Sequence, residues 1–440
     1  MTDNPQHTRR EFFGNILVGD GWIWAIYILL CFISAVEIFS ATSQLAYKST
    51  YVSDPAFSHI KFLLAGLVVV IVLQSRGYKA FRAWGAVFYL IGVVMAFAVI
   101  FYGVQQKGAA RSLYGIQPVE VCKVGLVATL CAVVSMADAT FQQIYLFRNS
   151  TSARRFVLYL FLIGLIAVPI GTQNLSSAII ICLTSFCIMF LGKVNGRYLW
   201  GIIGFALIAV VLGLGALKVV YETHQNVRGL DAITESTEGN KKDDDDGLLG
   251  RSLTWANRIY YSSGKPLWEE NMNGKKSQEV YSHMALVNGF PRPQFIGNSR
   301  LRDFLPEAFS DYIFAIIFEE WGLLGAILIM TLYIALFVRC YILSRRTEVM
   351  FIRLMMVSIP LIILIQALIH IGVNTGAMFV TGQPLPLISR GGSSIISTSI
   401  FIGVLLGLSS HIQQEYQERQ QALVEPQPVI TTQEDNEISD

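Results

Sequence analysis

The sequence predicts an all-α polytopic integral membrane protein: ten transmembrane helices, both termini cytoplasmic, and a large extracytoplasmic loop between spans seven and eight. Three observations carry that expectation. The 440 residues are 53% hydrophobic and only 15% charged, and a mean hydropathy of +0.51 lies outside the balance of a water-soluble enzyme. The apolar residues are gathered into runs long enough for helices rising about 1.5 Å per residue to cross an apolar layer about 30 Å thick. Lys and Arg alternate between the connecting segments in the pattern that insertion favours. The 33 basic and 31 acidic residues leave a net charge of +2, which excludes nucleic-acid binding through bulk charge.

Residues 1–21 read as a cytoplasmic N-terminal segment, and the first apolar run reads as a retained helix rather than a cleavable signal. Spans one to seven fill 22–221 and are expected at 22–43, 59–76, 82–104, 119–137, 156–172, 175–191 and 199–221. The last three, within 311–412, are expected at 312–338, 349–371 and 391–409. Pro118, Pro169 and Pro360 mark the least regular backbone. Arg9, Arg10, Arg76, Lys79, Arg82, Arg148, Arg154, Arg155, Lys193, Arg197, Arg339, Arg345, Arg346, Arg353 and Arg419 fall on the cytoplasmic side of this topology. Lys48, Lys107, Arg111 and Arg390 fall on the other.

The loop at 222–310 has two parts. TESTEGNKKDDDDGLLG at 234–250 is a solvated excursion, because the adjacent carboxylates Asp243 to Asp246 repel one another without a defined geometry. Residues 255–270 and 282–311 mix aromatics, Gly, Pro and both charge signs, which predicts an ordered functional loop. The six cysteines all lie in or beside spans, so no disulfide-stapled exterior is expected and small apolar packing explains them. Residues 413–440 read as a flexible cytoplasmic tail.

An ionised group among lipid tails costs at least about 2.5 kcal/mol, so charges within spans should face protein, water or substrate. Glu37, Glu120, Lys123, Glu319, Glu320 and His370 are such groups. Glu120 and Lys123 are three residues apart and share a helix face, which suits an ion pair or contact with an anionic head group. Arg111, in KGAARSLYGIQPVEVCK, stands where insertion disfavours a cation, and a waiting phosphate would explain it. Gln117 and Pro118 lead from it into the Glu120 helix. Asp311 precedes YIFAII, where a carboxylate suits either a helix cap or a general base. Glu320 lies about 13.5 Å further along a regular helix, on the opposite face, and cannot serve the same reacting atom. In TGQPLPLISRGGSS at 381–394, Pro384 and Pro386 stiffen the chain, Gly391 and Gly392 permit close approach, and Ser393 and Ser394 offer hydroxyls. That segment is either a helix-entry turn or a half-helix whose amides face a pyrophosphate, with Arg390 as the cation. No Walker A, dinucleotide-binding, HExxH or GxSxG motif occurs.

Four blocks carry a family resemblance: SATS at 40–43, GAAR with IQPVEVCK at 108–123, FLPEAFSDYIFAIIFEEWGLLG at 304–325, and QALIHIGVNTGAMFVTGQPLPLISRGGSS at 366–394. Over about 22–412 the chain resembles the SEDS family (shape, elongation, division and sporulation) of membrane peptidoglycan glycosyltransferases, most of all its cell-division branch. The resemblance implies polymerisation of lipid II at a septum in the bacterial cytoplasmic membrane, with Asp311 as the catalytic base. It implies substrate contacts from Arg111, Gln117, Glu120, Lys123, Ser389, Arg390 and Ser393. Structural or cavity-forming roles fall to Glu319, Glu320, His370, Pro384, Pro386, Gly391, Gly392 and Ser394. The implied ligands are lipid II and the growing lipid-linked strand; the resemblance fixes no cofactor and leaves a divalent cation (Mg2+ or Mn2+) open. The implied partners are a class B penicillin-binding transpeptidase and other division proteins. A lipid-precursor flippase and a non-catalytic division scaffold are the competing readings. The chain departs from the family pattern at Ser112, where Trp is frequent, at Asn174 and Ser176, where Asp and Gly are usual, and at Arg390, where Tyr is usual.

Overall fold

A computed structural model describes residues 17–41, 54–102, 104–106, 109–112, 115–136, 152–234, 277–305, 307–378 and 380–424. Its helices are α1 (Gly21–Ala41), α2 (Asp54–Gln74), α3 (Tyr78–Tyr102), α4 (Pro118–Val134), α5 (Ser152–Gln173), α6 (Leu175–Leu191), α7 (Gly196–Thr234), α8 (Ser277–Asn288), α9 (Ile313–Ser344), α10 (Met350–Asn374) and α11 (Gly392–Val424). All but α8 stand where the apolar runs predict spans. Eight are long and apolar enough to cross a membrane, while α4 and α6 have 17 residues each, about 25 Å at 1.5 Å per residue.

Three features differ from expectation. Strands β1 (Val104–Gln106) and β2 (Ala109–Ser112) pair antiparallel between α3 and α4, a short hairpin the sequence did not lead one to expect in a chain that is otherwise all-helical among the described residues, as predicted; pairing satisfies backbone groups where the chain turns back. Helix α8 supplies order within the outer loop that its mixed composition did not specify as helical. Helix α11 continues well past 412, so 413–424 is helix rather than flexible tail. Its extension is stabilised by Arg419, which pairs with Glu415 one turn earlier at 2.7 Å and with Glu348 at 3.1 Å. The acidic run at 243–246 and residues 425–440 lie outside the described residues.

Small residues set the tightest helix contacts. A side chain at Gly125 would strike the Tyr89 backbone on α3, and one at Gly403 would meet Leu73 and Val70 on α2; backbones can approach this closely only where side chains are minimal. At one end of the bundle, Arg339 of α9 grips the Asp20 carboxylate at 2.5 to 3.1 Å, and the Asp20 amide donates to Ser409 of α11 at 2.9 Å. The start of α1 and the later turns of α9 and α11 therefore meet at that end. The opposite end gathers the site.

Candidate active site

A cavity of about 550 Å³ opens where the last turns of α3 and α5 meet the first turns of α4, α6 and α11 and the turn preceding α9. Its polar wall includes Gln117 and Glu120 of the α4 entrance, Asn174 and Ser177 of α6, and Glu307, Ser310 and Asp311. The loop before α11 adds Gln383, Pro384, Arg390 and Gly391, with Ser394 from the helix itself. Gln173 and Gly382 also line it. That volume lies within the range of small-molecule sites.

Asp311 is fixed by its own turn. Glu307 sits in the left-handed region at φ 60°, and its carbonyl accepts from the amides of Ser310, Asp311 and Tyr312 at 3.0, 3.1 and 3.3 Å. The capping reading of Asp311 fails, because Tyr312 occupies the N-cap of α9 and no side chain caps it. The Asp311 carboxylate instead lies at the cavity wall, with the Ser310 hydroxyl 3.3 Å from Oδ1. Asn374, fully buried at the end of α10, donates to the Asp311 carbonyl at 3.0 Å and the His370 carbonyl at 2.8 Å, and accepts from the Ala315 amide at 3.0 Å.

The loop before α11 is tied to this turn. Ser389 donates to the Ser310 carbonyl and accepts from the Leu385 amide, both at 2.7 Å, and the Arg390 amide donates to the Phe309 carbonyl at 2.9 Å. Leu387, also left-handed at φ 64°, turns the chain between them, a local strain held by its surroundings. The Arg390 guanidinium lies 5.4 Å from the centre of the Phe309 ring, within cation–π range. Burial pulls its pKa down, against the opposing pull of Glu307.

Behind the wall runs a line of polar contacts. Lys123 donates at 2.8 Å to both Glu120 and Gln366, Gln366 donates to the Pro384 carbonyl at 2.9 Å, and Ser397 donates to Glu120. His370 Nδ1 donates to the Gln383 carbonyl and Gln383 donates to Ser177, both at 2.7 Å. Glu120 thus reaches the cavity while Lys123, 4% exposed, buttresses it from behind. Ser389 acts as a tie between loops, and Ser393 stands beside the cavity rather than in its lining. The Arg111 backbone forms part of β2, and its side chain lies outside the described residues.

Glu319 and Glu320 face elsewhere. Glu319 accepts from Asn288 Nδ2, the Ser299 hydroxyl and the amides of Arg300 and Leu301, at 2.5 to 3.4 Å. Glu320 accepts from Ser40 and from the amides of Gly297 and Ser299. A break in α9 at Gly322, φ 67°, goes with the Glu319 carbonyl accepting from the Gln294 amide at 2.9 Å. These two carboxylates anchor segment 294–302 of the outer loop. Asp311, Glu307 and Glu120 share the cavity, but among the described residues no group of three or more His, Cys, Asp or Glu is placed to hold a metal ion.

The family model described as cell cycle protein, covering FtsW, RodA and SpoVE, matches residues 21–241 and 265–414. The chain belongs to that family, the SEDS proteins. The peptidoglycan glycosyltransferase MrdB of Escherichia coli (strain K12) is 25% identical over 424 residues, spanning 93% of this chain and 98% of that protein. The probable peptidoglycan glycosyltransferase FtsW of Geobacter metallireducens is 27% identical over 397 residues, spanning 87% and 92%. A solved chain from a study of how a peptidoglycan synthase complex coordinates polymerization and crosslinking shares the fold, with a TM-score of 0.62, 19% identity and coverage of 90% of this chain and 99% of that one.

Within this SEDS chain, Asn174 caps α6, its Oδ1 accepting from the Ser177 amide at 3.3 Å. The family's aspartate position is therefore filled by a neutral cap in the cavity wall. Sequence reasoning did not single out Asn374, Gln366, Gln383, Ser177 or Ser397. Their one available signal was polarity inside an apolar run, which marks a need for partners without saying which.

Proposed function

We propose that this chain is a ten-span peptidoglycan glycosyltransferase that polymerises lipid II, with Asp311 as general base, acting at the septum beside a class B penicillin-binding transpeptidase. The observation that carries the reading is Asp311: a carboxylate not used for helix capping, held by Glu307 and Asn374, at the wall of a cavity that also contains Arg390. Its names come from relatives, and its chemistry from this arrangement. The ten-span reading counts the two 17-residue helices as spans and is supported by the ends of α3, α5 and α10 and the starts of α4, α6, α9 and α11 all belonging to the cavity end.

In the proposed step, the C4 hydroxyl of an acceptor sugar gives its proton to the Asp311 carboxylate as its oxygen attacks C1 of the donor. The C4 oxygen to C1 bond forms, the C1 to phosphate oxygen bond breaks, and configuration at C1 inverts. Lipid pyrophosphate leaves with the bonding electrons. Arg390 and the first amides of α11 stabilise its charge, a role the family resemblance also gives to Arg111.

Asp311→Asn tests the assignment. The amide cannot accept the proton, and Asn has nearly the same shape, so the variant should insert and fold but form no glycan strands from lipid II in proteoliposomes. Polymerisation near the parent rate would sink the base role. Transbilayer movement of lipid II without strand growth would favour the flippase reading instead.

A further inference from the structure

A cavity of about 300 Å³ lies at the end of the bundle opposite Asp311, where the end of α6 meets the connection between α9 and α10. The Lys/Arg bias gives that end to the cytoplasm. Arg345, the C-cap of α9, and Arg353, the fourth residue of α10, line it together, and both are exposed. No Asp or Glu belongs to the lining, and among the described residues neither arginine has a carboxylate partner. The carboxylates of this connection and of the facing part of α11 are engaged elsewhere, Arg419 pairing with Glu348 at 3.1 Å and with Glu415 at 2.7 Å. Arg353 gives one N–H to the Thr347 carbonyl at 2.8 Å, which orients its guanidinium and leaves further donors of the fork unspent. The first turn of α10 has no acidic residue, and its N-cap, Val349, makes no side-chain hydrogen bond. The positive end of that helix therefore adds to the two cations instead of cancelling them.

The other side of the cavity is apolar. Leu191 at the end of α6 and Leu354 and Val357 of α10 form it, and Tyr341 of α9 completes the lining. Tyr341 also belongs to a run of large exposed side chains with Val338 and Ile342 on α9, and Phe190 of α6 is exposed beside Leu191. Cations at one side thus pass into hydrocarbon at the other and then into the outer surface of the helices. A soluble phosphate would use the arginines and leave the apolar side in water, and an uncharged lipid would do the reverse. An anionic glycerophospholipid uses both: its phosphodiester presents two oxygens to a guanidinium fork, and its acyl chains continue along α6 and α9. A zwitterionic head group suits the place less well, because its own ammonium would stand among the two arginines. The volume has room for a head group rather than a whole lipid.

We propose that this cavity holds the phosphodiester head group of one anionic glycerophospholipid of the cytoplasmic leaflet, tying the connection between α9 and α10 to the membrane. The assignment is independent of the chemistry at Asp311. Full-length protein in an uncharged detergent is titrated with dioleoylphosphatidylglycerol, dioleoylphosphatidylethanolamine and glycerol 3-phosphate, and bound molecules are counted by native mass spectrometry. One equivalent of phosphatidylglycerol should be retained in preference to phosphatidylethanolamine. Arg345→Gln together with Arg353→Gln should weaken it about thirtyfold, the combined effect of two basic residues beside an anionic head group. Arg82→Gln with Arg154→Gln, exposed residues at the starts of α3 and α5, removes the same charge at the same end and should leave that equivalent in place. Leu191→Trp, a second route should loss of the Thr347 contact disturb the turn, fills the apolar side without changing charge and should weaken the lipid as well. Equal losses from the two arginine pairs would mean attraction to bulk charge and overturn the proposal. Absence of any preference for phosphatidylglycerol, or binding that neither the Arg345 and Arg353 pair nor Leu191→Trp alters, overturns it too. Glycerol 3-phosphate bound as tightly as the lipid reassigns the cavity to a soluble phosphate and overturns it equally.

Discussion

Asn374→Ala removes the side chain that ties α10 to the turn carrying Asp311, the base of the proposed reaction. It deletes the donor to the Asp311 carbonyl, the second donor to the His370 carbonyl, and one of two acceptors of the Ala315 amide, which also reaches the Tyr312 carbonyl at 3.1 Å. Ala315 and His370 keep local alternatives, so the main loss falls on Asp311. Losing the hydrogen bond to the part-buried Asp311 carbonyl costs about 0.5–1.5 kcal/mol, and the weakened bonds add roughly 1 kcal/mol, for a total of about 1.5–2.5 kcal/mol. The catalytic consequence is larger than the structural one. A general base displaced by about 1 Å loses on the order of 100-fold in rate, so kcat should fall by about that factor while KM for lipid II changes little. Asn374→Asp should be worse, because its second oxygen would face the Asp311 and His370 carbonyls with no proton between them. Initial polymerisation rates in proteoliposomes, read beside thermal unfolding of the same preparations, provide the assay. Rates within twofold of the parent for Asn374→Ala, with kcat and KM both preserved, would refute the claim that Asn374 positions Asp311.

Glu319→Gln should loosen segment 294–302, because one carboxylate now accepts from four donors and the amide can oppose them with its own N–H groups; a loss of about 3–6 kcal/mol follows from two charge-assisted bonds, visible as faster proteolysis within that segment. An unchanged cleavage rate would remove the anchoring role. Lys123→Met leaves the Glu120 carboxylate in an apolar wall without its cation, a cost of about 3 kcal/mol at the low end for broken buried pairs. The companion change Glu120→Gln in the same chain should restore most of the unfolding temperature without restoring full polymerisation, since Glu120 also faces the cavity. Equal unfolding temperatures for parent and Lys123→Met would show the pair to be dispensable.

How much of this was legible in the sequence depends on the range of the interaction. Helix positions follow from apolar runs, a property of consecutive residues, and all ten expected positions carry helices. The ion pair of Glu120 and Lys123 follows from a three-residue spacing. Its third member, Gln366, lies 243 residues away, and no local pattern could supply it. Asp311 stood out because its block is distinctive, but whether it caps α9 turned on where that helix begins. The helix starts one residue later than the capping reading needs, since the Glu307 carbonyl gathers three successive amides first. The partners of Glu319 and Glu320 are mostly backbone amides of 297–301, and an amide is present at nearly every residue, so sequence carries no trace of which ones are used.

The acidic groups in and beside the spans are divided by what surrounds them. In an apolar layer a carboxylate persists only with partners or water, and Glu319 with Glu320, Glu120, and Asp311 meet that demand in three ways, whereas both Glu37 carboxylate oxygens are buried in α1 without a hydrogen-bond partner. Glu319 and Glu320 accept from a folded-over loop, which converts their desolvation cost into order for segment 294–302. Glu120 is matched by Lys123 and Ser397 and so can stand in the cavity wall without shifting position. Asp311 lies outside the helix, at the cavity wall, in a turn whose backbone is held by the Glu307 carbonyl and by Asn374. Under the proposed reaction, Arg390, stacked on Phe309, supplies positive charge to a leaving phosphate, and the backbone contacts of the Asp311 turn, above all the one from Asn374, set where its carboxylate stands.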